Sequence, residues 1–179
     1  MSVSIEIREA TAADRAQLER LLRGSWGATT VVSRGRVHDA ADLPALLALD
    51  RARGEPVGLA TLTPNGSDCE LVTLDAFTRR TGVGSALLAA AAEWARARGC
   101  RRLWLITSND NLDAVRFYQR RGLRLVAVHR GAVDRARELK PSIPEVGEYG
   151  IPIHDELELE LTLNPPTSEP DPPQAPPVS

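Results

Sequence analysis

Residues 79–85, Arg-Arg-Thr-Gly-Val-Gly-Ser, have types and spacing suited to holding an anion. They follow an apolar, strand-like run, Glu70 to Phe77, and open an Ala-rich run that reads as a helix to about Arg98. Two glycines at a helix start let the backbone turn tightly and leave N–H groups bare. With the positive end of the helix dipole, those groups form an anion site suited to a pyrophosphate. Arg79 and Arg80 add positive charge beside it. A dinucleotide fingerprint needs a third glycine where this chain has Leu87, and a P-loop needs a Gly-Lys pair, which the chain lacks. The plain alternative is an ordinary glycine-containing turn between strand and helix.

A second segment narrows the choice. Leu103 to Thr107 reads as a short buried strand. Asn109-Asp110-Asn111 offers turn and N-cap chemistry, Leu112 to Arg121 reads as a helix, and Gly122 suits its C-terminal stop. Asn111, Ala114 and Tyr118 share one helix face. Arg79-x-x-Gly82-x-Gly84 together with Asn111-x-x-Ala114-x-x-Phe117-Tyr118-x-x-x-Gly122-Leu123 resembles, in order and spacing, the two landmarks of the GNAT N-acetyltransferase superfamily. One departure is Leu123, where Phe is usual. The resemblance spans roughly residues 3–163. The segments Glu138 to Pro144 and Tyr149 to Glu156 are similar to those of bacterial members with no assigned substrate.

The resemblance implies an α/β GNAT fold: a central, mixed, splayed sheet of about six to seven strands flanked by about four helices. It implies acetyl-CoA as co-substrate and direct transfer of its acetyl group, in a ternary complex, to a primary amine of a small molecule or peptide. Backbone amides of Thr81, Gly82, Val83, Gly84 and Ser85 would hold the pyrophosphate, and main-chain groups of Asp75, Ala76 and Phe77 the pantetheine arm. Tyr118 would be the general acid at the cofactor sulfur, or else a core aromatic. Asn111 would bond the cofactor, cap its helix, or both. Glu70 is the candidate general base, against the alternative of an exposed strand-edge residue. Asp75, expected on the opposite strand face, is the alternative carboxylate, and some relatives use only a water chain. Trp26, Arg34 and His38 would border the acceptor cleft, though a lone His is more often structural. A GNAT fold that senses acyl-CoA without turnover is a competing function. A toxin that acetylates aminoacyl-tRNA is another, and the charge balance argues against it.

The elements that must position these residues follow from pattern. Val3 to Arg8 alternates as a strand, and Thr11 caps a helix running to about Arg23. Residues 24–42 read as irregular. Strands are expected over Ala45–Asp50, despite its Ala and Leu content, and over Pro56–Thr63, Leu123–Arg130 and Glu156–Leu163, the last with one solvated face. Gly131 to Glu138 reads as a short helix, and residues 140–153 as a loop. Arg101 and Arg102 read as a solvated pair, and His154 as a cap on the last strand. The first 163 residues form the expected domain. The last sixteen hold seven prolines and read as a disordered tail.

At 179 residues, 26 % charged and 42 % hydrophobic, the chain is an ordinary globular domain. Its net charge is −2, and residues 1–163 carry 22 bases and 22 acids, which argues against nucleic acid as a partner. No apolar run approaches a membrane span and no signal sequence is visible, so a cytoplasmic location is expected. Cys69 and Cys100 read as small buried residues, and no His or Cys cluster has metal-ligand spacing. A homodimer is an expectation from resemblance alone.

Overall fold

The computed structural model describes residues 4–78 and 81–163. Along them run β1 (Ile5–Glu9), α1 (Arg15–Trp26), β2 (Thr30–Ser33), β3 (Arg36–Asp39), β4 (Ala45–Asp50), β5 (Pro56–Asn65), β6 (Asp68–Ala76), α2 (Val83–Ala97), β7 (Arg102–Ser108), α3 (Leu112–Gln119), β8 (Arg124–His129), α4 (Ala132–Leu139) and β9 (Glu156–Thr162). Seven strands form one sheet in the order β1-β4-β5-β6-β7-β9-β8. Only the β6–β7 pair is parallel, so the sheet is mixed, as expected. The proline-rich tail expected from Asn164 lies outside the described residues. Among the described residues, no helix is long and apolar enough to cross a membrane.

The apolar spacing of α2 explains its place. Val83, Leu87, Leu88, Ala91, Ala92 and Ala95 recur at helical intervals and are buried against Leu46, Leu62, Leu71 and Leu103 of the sheet. On the other face Leu18 and Leu22 of α1 pack on Leu47, Leu59 and Val72. The two layers fix the sheet between helices, and the cysteines are buried within it.

Two irregularities of the sheet create the site. The parallel β6–β7 ladder pairs only Asp68–Glu70 with Arg102–Trp104. Beyond Glu70 the strands part like the prongs of a fork, each still hydrogen-bonded to its outer neighbour. The second is a bulge: Thr61 opposes Thr73, but Leu62 opposes Leu71, which leaves Val72 extra. A bulge resets the alternation of faces. Glu70 opposes Thr63 and Asp75 opposes Leu59, two residues of one β5 face, so Glu70 and Asp75 also share a face. The expectation from simple alternation, that they point to opposite sides, is overturned here.

Residues 24–42 are not irregular. Helix α1 continues to Trp26 and stops at Gly27, whose φ is +74°. Then β2 and β3 form a hairpin across Arg34 and Gly35, both with positive φ. Two-residue hairpin turns of this kind favour Asn-Gly, and Arg in the first position hides the signal. The strand Glu156–Thr162 also departs from a one-sided pattern: Glu156 and Glu158 are as buried as Leu159.

Candidate active site

A long groove of about 1170 Å³ runs beside the N-terminus of α2. Its floor is the chain from Ala76 through Thr78 and Thr81 to Ser85. Gly82 caps α2 with φ +83°, a conformation that favours glycine. Gly84 lies under Phe117: a Cβ there would stand 3.2 Å from the ring's Cζ. The opposite wall is α3 with its flanking residues: Arg116 and Phe117 from the helix, Asn111 before it, and Arg120 and Arg121 after it. Arg121 stacks 3.7 Å from the Phe117 ring centroid and donates from Nε to Ser85 Oγ at 2.8 Å. The helix start and three guanidiniums suit a polyphosphate. The three arginines were missed in the sequence, although they lie within ten residues of Asn111. The expected roles of Arg79 and Arg80 fall outside the described residues.

Ala76, Thr81, Gly82, Val83, Gly84, Ser85 and Asn111 all line this groove, whereas Asp75, Phe77 and Tyr118 do not. Phe77 is half-exposed, and its N–H is taken by Val57 O at 2.9 Å. Tyr118 is 9 % exposed and sits in the core, edge-on to Phe117 with centroids 5.2 Å apart. Burial, with the Asp75 charge adding to it, raises its phenol well above the usual range and keeps it protonated.

On the other side of the fork is a cavity of about 320 Å³. Trp26, Val72, Ile106, Val133 and Ile153 give it apolar walls, and Glu70 and Glu156 line it as well. The Glu70 and Glu156 residues are 4 % and 3 % exposed, so the strand-edge alternative for Glu70 fails. The β2–β3 turn holds both. Ser33 Oγ donates to Glu70 Oε1 at 2.5 Å, and the Arg34 N–H donates to Glu156 Oε2 at 3.1 Å. Burial raises both carboxyls above the ordinary carboxylate range. Asp75, beneath Trp26, is pushed up to about 6 by burial, and the Trp26 indole N–H, 2.7 Å from Oδ2, works against that shift. Asn111 lines both cavities. Its Oδ1 also accepts from the Ala114 N–H at 3.1 Å, so it caps α3 while standing at the junction.

Trp26 therefore reaches the cavity, while Arg34 and His38 stand behind its carboxylates. His38 Nε2 lies 3.7 Å from Glu70 Oε2. The Arg34 guanidinium lies 3.8 Å from Glu158 and faces Trp104. Arg102 is no solvated residue: it bonds Glu158, Glu160 and Asp68. Burial works against the Glu158 charge, but bonds from His129 and Arg102 prevail and lower its pKa. The network around Glu158 thus favours its anion, whereas burial disfavours the anions of Glu70 and Glu156. Glu156 and Ser33 were missed in the sequence, because Glu-Leu-Glu-Leu alternation reads as a wet face. His154 does not cap β9; its ring bonds Asp134 of α4 at 3.0 Å.

A model of the acetyltransferase (GNAT) family matches residues 15–123. The chain is 42 % identical over 132 residues to YdhI of Bacillus subtilis (strain 168), covering 74 % of this chain and 82 % of that protein. Its fold is similar to that of the IAA acetyltransferase from Bacillus cereus ATCC 14579, with TM-score 0.64 and 20 % identity over 89 % of this chain and 100 % of that one. A GNAT family acetyltransferase from Elizabethkingia anophelis, crystallised with acetyl-CoA bound, gives TM-score 0.62 at 20 % identity, covering 89 % and 98 %.

Proposed function

Because the chain belongs to the GNAT acetyltransferase family, we propose that it moves the acetyl group of acetyl-CoA to a primary amine of a small molecule or peptide. The observation that carries this reading is the meeting of two cavities at Asn111, one built for phosphates and one holding buried carboxylates. The catalytic unit of this reading is residues 1–163, the span that precedes the proline-rich segment in sequence.

The cofactor fits the residues present. The Gly82-Val83-Gly84 backbone leaves a cradle that a side chain at Gly84 would crowd, and Arg116, Arg120 and Arg121 supply cations along it. Bound there, acetyl-CoA would supply an acyl carbon made reactive by its thioester. On the open prong of β6, Ala76, which lines the groove, would offer its main-chain groups to a pantetheine arm.

An amine attacks only when neutral. Glu70, its pKa raised by burial, takes one proton from the bound ammonium. The freed nitrogen forms its bond to the acetyl carbon while the carbon–sulfur bond breaks. Of the two protons left on nitrogen, one stays in the amide; the other leaves as the amide forms and restores the Tyr118 phenol, which gives its own proton to the departing sulfur. Glu70 also lines a third cavity with Arg34, Arg36 and Arg102. Calorimetric titration with acetyl-CoA, with NADH as control, tests the reading. Binding of acetyl-CoA alone is expected, and no binding would reduce the assignment to a likeness of fold.

A further inference from the structure

The cavity on the carboxylate side has two kinds of wall. Its volume, about 320 Å³, equals roughly ten water volumes. Val31, Val72, Ile106, Val133, Pro144 and Ile153 supply aliphatic surface. Its charged groups are Glu70, Glu156 and Lys140, the chain's only lysine. The Lys140 ammonium is turned to the Thr30 carbonyl at 2.8 Å. Glu70 and Glu156 are held by neutral donors, Ser33 Oγ and the Arg34 N–H. Among the described residues, only His38 comes within ion-pair distance of either, and only of Glu70. His38 Nε2 is itself buried without a hydrogen-bond partner. Nearby Arg34 and Arg102 direct their guanidiniums to Glu158 instead.

Two buried carboxyls hydrogen-bonded only by neutral donors, with one imidazole near Glu70, leave room for a cation, and an ammonium ligand would supply it. The pair is also confined to one end, where the hairpin turn touches β6 and β9. Ser33, Thr107, Ser108, Asn111 and Ser142 also line the cavity, but among the described residues no third acid does, so a second ammonium would find no carboxylate there. Resting on the acetyl-transfer reading above, we infer that the acceptor is a compact primary monoamine with an apolar body, an arylalkyl- or branched alkylamine. Its ammonium sits between Glu70 and Glu156 and its hydrocarbon fills the space toward Val133 and Ile153. Glu156 is then a binding residue, and Glu70 both binds and takes the proton.

The test compares initial rates of the full chain with acetyl-CoA and phenethylamine, spermidine, kanamycin or a short peptide with a free N-terminus. Phenethylamine should exceed each of the others at least tenfold in kcat/KM. Equal or better turnover of spermidine, kanamycin or the peptide would overturn the inference. Tight acetyl-CoA binding with no turnover of any amine would also overturn it, while leaving the cofactor reading intact. Failure to bind acetyl-CoA would remove both. A substitution adds resolution. Glu156→Gln should raise KM for phenethylamine about tenfold while kcat and the acetyl-CoA Kd hold. An unchanged KM would remove Glu156 as an anchor, and an unchanged acetyl-CoA Kd shows that the variant is folded.

Discussion

At the scale of single residues, function rests on which carboxylates are buried and which are paired. Glu70, Glu156 and Glu158 are similarly hidden, but among the described residues only Glu158 accepts from a guanidinium, that of Arg102. Burial favours the neutral acid, and charged hydrogen-bond donors favour the anion. Hence Glu70 has the environment of a base and Glu158 that of a structural ion. Glu70→Gln should lower kcat/KM on the order of a hundredfold, as removal of a general base commonly does. The loss should shrink at low pH, where Glu70 is already protonated, and at high pH, where the amine is neutral without help, and a pH–rate profile like that of the native enzyme would remove Glu70 from the role. Tyr118→Phe should lower kcat by a comparable factor while calorimetry finds the acetyl-CoA affinity unchanged. Because Tyr118 lines neither cavity, full activity in that variant would make it a core aromatic alone.

At the scale of elements, the site depends on two turns with left-handed backbone. Gly82, at φ +83°, starts α2 and presents its amides to the groove. Any other residue there bears a strain of roughly 1–2 kcal/mol. Gly82→Trp adds bulk as well, so acetyl-CoA affinity should fall by at least a hundredfold in titration. The second turn, Arg34-Gly35, carries the N–H that holds Glu156 and follows the hydroxyl that holds Glu70. Arg34 bears φ +47°, tolerated by Asn far better than by β-branched residues. Arg34→Asn should therefore retain most activity, whereas Arg34→Val should raise KM for the amine. Measuring both separates the turn from the guanidinium, and equal behaviour of the two would show that the turn does not position the carboxylates.

At the scale of the whole molecule, the site carries a stability penalty that depends on pH. Asp75 titrates near 6 when folded, against an ordinary carboxylate value of 3.8, so the folded chain holds a proton that the unfolded chain loses first. Where the folded state binds more protons, stability falls as pH rises. The penalty from Asp75 therefore grows between pH 4 and 6 and is complete above. Asp75→Asn should raise Tm relative to the native chain above pH 6 and leave it unchanged below pH 4. A Tm difference independent of pH would contradict the assignment. The sequence by itself determined the GNAT landmarks, the helices and strands that carry them, and the glycine turn, because all of these are local: dihedral preference, capping and period act within a few residues. Glu70 and Asn111 were legible for the same reason, through their place in a strand and at a helix start. Only the tertiary structure put Asp75 on the face of Glu70, since a bulge at Val72 leaves no mark in alternation. It alone buried Glu156, because a glutamate's exposure depends on a hairpin packed on it from 122 residues away. The splay itself was implied by the family resemblance, but only the tertiary structure located it, ending the β6–β7 ladder at Glu70 and Trp104, because strands distant in sequence are joined by no local rule.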